Sequence, residues 1–462
     1  MIKIILELQE LFTQSIIENQ SLREQIGKNS RNSSKPPSSD GFKKKTKSLR
    51  EKGKRASGGQ IGHPGQTLCR VDEPDEIVTH SPEKCLHCQT DLESVAVERV
   101  EKRQVFDIPP QRMTVSEHQA AVKICPCCGQ VAKADFPKGV EHSVQYGPRF
   151  KAQVAYLSAY QLLPTARLAQ LINDFYGQNV SEATILEILA RLSEAITPSL
   201  EAIETHLVVA EVLDADETSA RINGKLNWLH VVCNLALTHY AIHEKRGQEA
   251  TDSIGLIPKF KGYLVHDGFR SYFIYKECRH VLCNAHILRE LTFLVEEQAQ
   301  TWAGDLKALL LQMKREVEAA QENGQLEPDQ LRCLNDRYES ILAAGWGANP
   351  PPEKLDKPKR GRVKQSTARN LLRRLEEYQT CVLMFIHDFR VPFDNNLAER
   401  DLRMMKLRQK ISGGFRTRAG AEIFVRLRRY ISTVRKQGAD LLDALLSAFL
   451  GDPFIPAPFL KG

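Results

Sequence analysis

Three acidic residues occupy positions from which strands and a helix can direct carboxylates into one site. Asp216 ends one predicted strand, Asp267 follows a second, buried strand, and Glu399 lies at the start of a predicted helix. Carboxylates gathered in one sheet do not all stay ionised unless cations neutralise them, and such oxygen-rich sites suit magnesium or manganese. Two such ions serve phosphodiester displacement. The pattern therefore indicates metal-dependent phosphodiester chemistry, with solvated strand-end acids as the alternative.

Two Cys-x-x-Cys pairs, with 36 residues between them, form the second set of residues that could do chemistry. The odd total of 11 cysteines and an expected cytoplasmic location argue against a disulfide framework. Four thiolates are the set that a closed structural zinc site prefers, so one zinc ion is predicted. His87 and Cys127 lie inside the pairs as competing ligands, and buried cysteines without metal are the alternative. The predicted ligands are Cys85, Cys88, Cys125 and Cys128.

Basic charge is concentrated in two regions. The formal net charge is +7, yet residues 28–60 hold 11 basic side chains against two acidic ones, and residues 401–436 have the same balance. Two basic regions on an otherwise acidic protein indicate a polyanionic partner, and a solvated charge run is the alternative for either region alone. The side chains predicted to contact DNA phosphates are Lys43, Lys44, Lys45, Lys47, Arg50, Lys52, Lys54 and Arg55.

Composition excludes several classes of protein. With 42% hydrophobic and 26% charged residues, the chain fits a globular protein and not a collagen-like, fully disordered or disulfide-stapled one. Its 462 residues suggest about three or four domains. No stretch approaches the roughly 18 apolar residues of a membrane helix, and the opening residues are too short for a secretory signal. We expect a cytoplasmic, nucleoid-associated protein without a membrane partner.

The first 144 residues are predicted to form three segments ahead of the catalytic core. Residues 1–27 show the a/d spacing of a coiled coil that holds subunits together, with Asn19 at a core position; an amphipathic helix packed on its own chain is the alternative. Residues 28–70 are predicted to be a basic flexible linker. Residues 71–144 form the zinc-binding domain, in which alternating stretches between the cysteine pairs predict a two-stranded arm.

Residues 145–205 are predicted to be helical. Their outline resembles a helix-turn-helix, with a turn at Gly177 and a second helix capped by Ser181. That second helix offers only Arg191 as a basic side chain, against two glutamates. Packing is therefore the favoured interpretation, and DNA binding is the alternative.

Residues 206–290 carry the pattern of a mixed sheet. The dipeptide Asn223-Gly224 predicts a tight hairpin between the first two strands, and a helix over 250–260 separates the third strand from the fourth. Three antiparallel strands followed by strand–helix alternation is the order of a ribonuclease-H-like core, an α/β fold. The predicted strands are 207–216, 226–235, 239–245, 263–265 and 280–283.

The C-terminal third is predicted to be helical. Residues 291–384 lack a strand pattern and are interpreted as a helical insertion with glycine- and proline-rich breaks such as 345–352. Residues 385–437 complete the core with a long basic helix broken at Gly413-Gly414. A C-terminal helix and tail occupy 438–462.

A series of motifs along the chain resembles the insertion-sequence 66 family of DDE transposases. They are Asn32-Ser33-Ser34-Lys35-Pro36-Pro37-Ser38-Ser39-Asp40, the two cysteine pairs, Asp216-Glu217-Thr218, His266-Asp267-Gly268, Cys283-x-Ala285-His286-x-x-Arg289, Asn395-Asn396-x-Ala398-Glu399-Arg400 and Ser412-Gly413-Gly414-Phe415-Arg416-Thr417. The resemblance covers nearly the whole chain in order. It departs from the family at Gln89, where the first cysteine pair lacks the glycine that follows the second, and this leaves the turn geometry of that pair open.

This resemblance implies a site and a reaction. Asp216, Asp267 and Glu399 would be the catalytic acids and the ligands of two Mg²⁺ or Mn²⁺ ions on a ribonuclease-H-like core. The implied reaction cuts DNA at the element's terminal inverted repeats and joins the freed 3′ hydroxyl to target DNA. The partners would be DNA, further copies of the chain in a dimer or larger assembly, and accessory proteins of the same element. Candidates for orienting phosphate, or simply for packing, are His286, Arg289 and Arg400.

Acidic neighbours compete with two of the three positions. Asp214 and Asp216 lie two residues apart on a strand and point to the same face, so spacing leaves both open. The Asp-Glu-Thr motif favours Asp216. At the third position, Glu399 and Asp401 lie about 200° apart on a helix, so only one of them can face the sheet. Asp394 precedes the helix and is held less firmly, and the Asn-Asn-x-Ala-Glu-Arg motif favours Glu399.

Two other functions fit parts of the pattern. A catalytically inactive, zinc-containing DNA-binding accessory or regulatory protein would share the basic arm and the cysteines without needing all three acids. A magnesium nuclease of the same fold would keep the acids and cut DNA without joining it. Strand-transfer products distinguish the second alternative from a transposase.

Overall fold

The protein is described by a computed structural model that covers residues 68–109, 111–351 and 365–458, together with scattered residues between 12 and 33. The described residues divide into two compact units, of which the smaller holds 68–109, 111–115 and 175–177. Most of the predicted coiled coil lies outside the described residues, and so does the whole arm of basic side chains from Lys43 to Arg55. No described helix combines the length and the apolar character needed to cross a membrane.

The region between the cysteine pairs does not contain the predicted two-stranded arm. Its alternating valines, such as Val97 and Val105, are exposed, and no strand is present among the described residues of 95–121. Because nothing buries these side chains, alternation alone does not produce pairing here. The strands that do form flank the second cysteine pair as a short antiparallel hairpin, β1 (Val122–Ile124) and β2 (Val131–Lys133).

A five-stranded mixed sheet forms the centre of the larger unit, which confirms the α/β class. The strand order is β5-β4-β3-β6-β7. The first three strands pair antiparallel as a meander, and β6 and β7 lie parallel to β3. The strands are β3 (Val212–Ile222), β4 (Lys225–Cys233), β5 (Thr238–His243), β6 (Tyr263–His266) and β7 (Arg279–Leu282).

Between Pro148 and Phe449, the described residues form thirteen α-helices. They are α1 (Pro148–Ala155), α2 (Thr165–Tyr176), α3 (Glu182–Ala195), α4 (Thr197–Val208), α5 (Gln248–Ile254), α6 (Asn284–Gln298), α7 (Thr301–Ala319), α8 (Pro328–Ala348), α9 (Thr367–Glu377), α10 (Gln379–His387), α11 (Asn396–Ser412), α12 (Arg418–Lys436) and α13 (Leu441–Phe449). The break at Gly413-Gly414 between α11 and α12 is confirmed.

The predicted hairpin is confirmed, but the predicted extent of its first strand is wrong at both ends. Asn223 and Gly224 adopt φ angles of 47° and 73°, which a two-residue type I′ turn requires, and Ile222 pairs with Lys225 directly across it. The ladder therefore continues to Ile222, and Asp216 lies in the middle of β3. At the other end α4 continues to Val208, because buried Leu207 extends the helical spacing of its apolar face.

The helices of the predicted insertion share one core with the sheet. Apolar side chains of α6 through α10 pack together with Val265 of β6 and Val281 of β7. The expected break over 345–352 begins later, because α8 continues to Ala348. A Cβ on Gly345 would lie 2.6 Å from Leu372 Cδ2, so this glycine allows α8 and α9 to approach closely.

Much of the C-terminal basic region serves internal contacts. Arg428 is buried and donates to Ala159 O (3.2 Å), and Arg429 donates to Glu204 Oε1 (2.7 Å). Lys436 pairs with Asp401 (2.8 Å). Part of the basic charge of residues 401–436 therefore serves internal contacts. A count of charges along the sequence does not reveal this.

The second helix of the predicted helix-turn-helix outline, α3, is packed. Ser181 caps it by accepting a hydrogen bond from Thr184 N (3.0 Å), as its position predicts. Arg426 of α12 donates to Ser193 Oγ (2.9 Å) near the helix end. Arg191, its basic side chain, is paired with Glu187 (2.7 Å). These contacts favour the packing interpretation over DNA recognition.

Candidate active site

The parallel pairing of β3 with β6 brings Asp216 level with Asp267. Asp214 of β3 and Val265 of β6 form the last pair of this ladder, so each aspartate lies two residues beyond it, and the charge of Asp267 acts on Asp216. Neighbouring strands lie about 4.8 Å apart, so the two carboxylates emerge close together at the end of β6. The order of the sheet, and not proximity in sequence, creates this pair.

Glu399 comes to the same place through the start of α11. Asn395, one turn earlier, donates from Nδ2 to Ala215 O of β3 (2.8 Å). Further along α11, Gln409 Nε2 donates to Ser219 O (2.9 Å), and beyond the helix Phe415 N donates to Arg221 O (2.7 Å). These bonds satisfy the carbonyls of β3 beyond the end of β6, where no strand is paired on that side. They also fix the turn of α11 that carries Glu399.

The charges of the other two acids act on Asp216. Burial, then the charges of Glu217, Asp267 and Glu399, raise the pKa of Asp216 well above its ordinary value. Backbone amides donate to one oxygen of each aspartate, at 2.8 Å in both cases. Glu399 Oε1 is buried and has no hydrogen-bond partner among the described residues. Crowded carboxylates with an unpaired buried oxygen fit a hard divalent cation.

Two of the three predicted positioning residues contact Glu399. His286 Nε2 lies 3.8 Å from Glu399 Oε1, and Arg289 Nη2 lies 3.4 Å from Glu399 Oε2. Burial and the nearby Arg289 lower the pKa of His286, which favours the neutral imidazole at neutral pH. Arg400 has an exposed side chain and does not join this group. Two side chains of α6 thus contact Glu399, one at each carboxylate oxygen.

Cys283, which follows β7, contacts the start of α11. Together with His286 and Glu399 it forms a group whose ligand atoms all lie within 4.8 Å of one another, the one such set of three among the described residues. Cys283 Sγ accepts a hydrogen bond from Asn395 N (3.1 Å), and burial raises the pKa of its thiol to about 12. The bond to Asn395 makes Cys283 an anchor for the start of α11.

A chain of hydrogen bonds fixes the turn at Asp267. Gly268 N donates to His266 Nδ1 (3.1 Å), so the proton of this neutral ring lies on Nε2, which donates to His280 Nδ1 (3.1 Å). His280 Nε2 in turn donates to Tyr275 O (3.0 Å). Burial lowers the pKa of His266 to about 3 and also lowers the pKa of His280, so both rings are neutral.

Glu217 was missed as a site residue by reasoning from the sequence. Its side chain is 1% exposed and accepts hydrogen bonds on both oxygens, from Arg246 Nε (2.6 Å) and from the Tyr272 hydroxyl (2.7 Å). The signal was its position beside Asp216 in the Asp-Glu-Thr motif. Because both of its oxygens have partners, Glu217 differs from Asp216, Asp267 and Glu399.

The competing acids have other surroundings. Burial raises the pKa of Asp214 to about 7, and the charges that act on it are those of Lys436, Asp394 and Asp401. Asp401 pairs with Lys436 and accepts a hydrogen bond from Thr238 Oγ1 (3.0 Å). The two acids therefore belong to the packing of α11 and α12 on the sheet, apart from the group around Asp216.

The two cysteine pairs form turns of the same kind. Gln89 N donates to Cys85 O (2.9 Å), and Gly129 N donates to Cys125 O (2.8 Å). Both turn residues are left-handed, with φ of 59° at Gln89 and 70° at Gly129. Replacing glycine by glutamine thus leaves the turn intact, at a cost of roughly 1 kcal/mol in backbone strain. A hydrogen bond with Thr90 lowers the pKa of Cys88, and backbone hydrogen bonds lower that of Cys125.

Comparison with known families decides the relationship of the chain. Residues 143–423 match the family described as Transposase IS66 family. The chain belongs to the IS66 family of transposases. Residues 6–68 also match a family of unknown function. The match of this IS66 chain spans all of the sheet and all three of the acids discussed above.

Other comparisons add little. No curated protein sequence matches this IS66 chain. A chain in the cryo-EM structure of the simian T-cell lymphotropic virus intasome in complex with PP2A regulatory subunit B56 gamma is similar over 46% of this chain and 78% of its own, at 14% identity and a TM-score of 0.15. A likeness at this level says nothing of what the chain binds. Family membership alone points to an enzyme that acts on DNA.

Proposed function

We propose that this chain is a DDE transposase that cleaves DNA at the ends of its element and transfers the freed strand to target DNA. Asp216, Asp267 and Glu399 are the catalytic acids. The observation that carries the proposal is that Asp267 and Glu399 lie close enough to Asp216 for their charges, together with burial, to raise its pKa. Acids that come from a strand, a strand end and a helix into one half-buried group serve a purpose other than folding, since their repulsion opposes folding.

The donor set fits two magnesium or manganese ions. Asp216, Asp267 and Glu399 would hold them, since each offers a carboxylate oxygen without a hydrogen-bond donor among the described residues. When bound, such ions activate the attacking oxygen and stabilise the leaving oxygen of a phosphodiester. The oxygens of Glu217 both have donors, so Glu217 is left out of the ligand set.

Other side chains near the site hold Glu399 and Asp267 in position. Arg289 and His286 hold Glu399 through its two oxygens, and Arg289 also offers positive charge to a scissile phosphate. The hydrogen bonds from Gly268 to His266 and on to His280 hold the turn in which Asp267 lies. A neutral histidine has one N–H donor and one acceptor nitrogen, so this row of hydrogen bonds fixes the turn without adding charge.

The domain functions follow from the same proposal. The strand order with a three-stranded meander and two further parallel strands supports a ribonuclease-H-like core over 206–290 and 385–437, with 291–384 as its helical insertion. The N-terminal helix would join two or more subunits, and the arm of lysines and arginines would follow DNA phosphates. Most of this helix and the whole arm lie outside the described residues. One zinc ion on the four cysteines stays a prediction from their spacing.

A strand-transfer assay tests this function. Purified protein, magnesium and a duplex carrying one terminal repeat of the element should give nicked products and products joined to a supercoiled plasmid. Joined products that depend on the metal support a transposase. Nicked duplex without joining would instead indicate a nuclease, and binding without either product would indicate the accessory protein.

A further inference from the structure

Arg246 contacts a residue next to Asp216 and a residue next to the turn of Asp267. It follows β5 in a loop before α5, far in sequence from either acid. Its Nε donates to Glu217, the residue after Asp216, over 2.6 Å. Its guanidinium carbon lies 4.2 Å from the ring centre of Phe269, whose own amide donates to Asp267. The cation is thus joined to the surroundings of both aspartates.

The side chain is held in place from several directions. The guanidinium also packs on the Trp228 ring of β4, at 5.1 Å from its centre. The loop before it is pinned because His230 Nε2 contacts Lys245 O over 3.2 Å. A Cβ on Gly247 would lie 3.2 Å from Ser271 Oγ, so the loop also approaches the segment after Asp267 closely. An arginine restrained in this way loses little freedom when it binds a ligand.

Part of the guanidinium remains available. An arginine has five N–H donors, and Glu217 uses the one on Nε. Within the described part of the chain, Nη1 and Nη2 donate to no acceptor, and the side chain is 38% exposed. A buried ion pair on one side and free donors on the other is the arrangement that recognises an oxyanion. Glu217 serves to aim the cation, since its carboxylate is covered and its second oxygen is held by Tyr272.

We propose that Arg246 binds a backbone phosphate of the DNA strand that enters the site, next to the scissile bond. This proposal rests on the function proposed above, because the ligand is the DNA on which the three acids act. Arg246 is a substrate-binding residue, and Glu217, Trp228, Phe269 and Tyr272 position it. A phosphodiester monoanion fits the planar pair of Nη groups, and the flanking rings exclude water from one side of the contact.

The test compares two DNA probes on each protein, in buffer without divalent cations. One probe is a duplex with a terminal repeat of the element. The other carries a neutral methylphosphonate in place of one phosphate, scanned over the positions beside the cleavage site. At one of these positions wild-type protein should bind the neutral probe roughly 10- to 100-fold more weakly. Arg246→Gln should bind both probes alike, since it has lost the partner of that phosphate.

Several controls make the result decisive. Arg279→Gln is matched, because Arg279 packs on Tyr263 at the opposite end of the parallel strands. It should discriminate between the probes as wild type does. Arg246→Lys keeps the charge without the planar fork and should discriminate partially. If Arg246→Gln leaves Glu217 unpaired and fails to fold, the discrimination shown by Arg246→Lys tests the proposal instead.

The outcomes separate the two proposals. If Arg246→Gln distinguishes the probes as strongly as wild type at every position, the assignment of Arg246 is overturned. The same wild-type protein is assayed for cleavage of the unmodified probe in magnesium. If wild-type protein cleaves the unmodified probe but binds the two probes alike at every position, only the role of Arg246 is contradicted. If wild-type protein distinguishes the probes and Arg246→Gln does not, the role of Arg246 is supported. If the same wild-type protein cleaves no DNA, the transposase function is contradicted.

Discussion

The side chain of Asn395 donates a hydrogen bond of 2.8 Å to the carbonyl of Ala215, the residue that precedes Asp216. The backbone amide of Asn395 donates to Cys283 Sγ (3.1 Å), so one buried residue joins the helix of Glu399 to β3 and to the end of β7. Of the bonds that join α11 to β3, the one from Asn395 lies nearest in the chain to both the first and the third acid.

Replacing this asparagine should loosen the site. Asn395→Ala leaves Ala215 O without its donor in a buried place, which should lower the free energy of unfolding by about 1–3 kcal/mol. Because Glu399 follows one turn later, cleavage should fall by more than the loss of folded protein explains, by roughly 10- to 100-fold if metal binding weakens as well. Urea denaturation and cleavage rates of the same preparation measure the two effects.

Asn396→Ala is the matched control, since Asn396 is exposed and its side chain has no hydrogen bond among the described residues. It should change neither quantity by much. A variant at Asn395 that loses stability but retains the full cleavage rate per folded molecule would show that the link to Ala215 does not position Glu399.

The sequence predicted the elements whose signals are local. The hairpin follows from Asn223-Gly224, whose positive φ angles suit a type I′ turn, and the start of α3 follows from the capping hydroxyl of Ser181. Each of these depends on one or two residues and their immediate neighbours. The family motifs favoured Asp216 and Glu399 over their acidic neighbours, and the roles of both acids stay predictions.

What the sequence did not predict depends on partners distant in the chain. The valines between 95 and 105 alternate as a strand does, yet they have no paired strand to bury them. The arginines of α12 suggested a DNA surface, and their acceptors, such as Ala159 and Glu204, lie more than 200 residues away. The pair of Glu217 with Arg246 is of the same kind. A residue's type shows what it can bind, but only the fold shows which partner is near.

Acid should destabilise the protein through buried neutral histidines. Burial lowers the pKa of His230 and of His239 to about 4, whereas an unfolded histidine titrates near 6.5. The unfolded chain therefore binds more protons between these values, so stability is full above about pH 6.5 and is lost as the pH falls toward 4. The loss approaches roughly 3 kcal/mol for each histidine. Urea midpoints over this pH range measure it.

His239→Gln tests the contribution of a single ring. A glutamine amide can still reach Glu204 Oε1, which His239 contacts over 3.1 Å, and it does not titrate. This variant should show a smaller loss of stability between pH 6.5 and 4 than wild type. An unchanged pH dependence would mean that His239 is already protonated in the folded protein at neutral pH.

Divalent metal should stabilise the folded protein through the acids. Without metal, Asp216→Asn should melt at a higher temperature than wild type, because it removes a carboxylate whose charge is disfavoured by burial and by the nearby Glu217, Asp267 and Glu399. Magnesium should raise the melting temperature of wild type and have little effect on the variant, since a ligand that binds only the folded state stabilises it. Equal magnesium-induced shifts in both proteins would exclude Asp216 as a ligand.

Zinc is predicted to bind once per chain. Metal analysis of purified protein should give one zinc, and Cys85→Ser combined with Cys128→Ser should lose it, because a hydroxyl does not replace a thiolate ligand. Gln89→Gly should retain zinc and gain roughly 1 kcal/mol of stability, since glycine accepts the left-handed turn without strain. Zinc retained in the double serine variant would contradict the assignment.

The most direct test of the central claim compares two acids two residues apart on the same helix. Glu399→Gln keeps the shape of the side chain and removes its charge, so it should abolish magnesium-dependent cleavage while leaving DNA binding largely intact. Asp401→Asn breaks the pair with Lys436 and costs stability, yet its folded fraction should still cleave DNA. Cleavage rates normalised to folded protein decide the question. If Glu399→Gln cleaves DNA and folded Asp401→Asn does not, Glu399 is not the third catalytic acid.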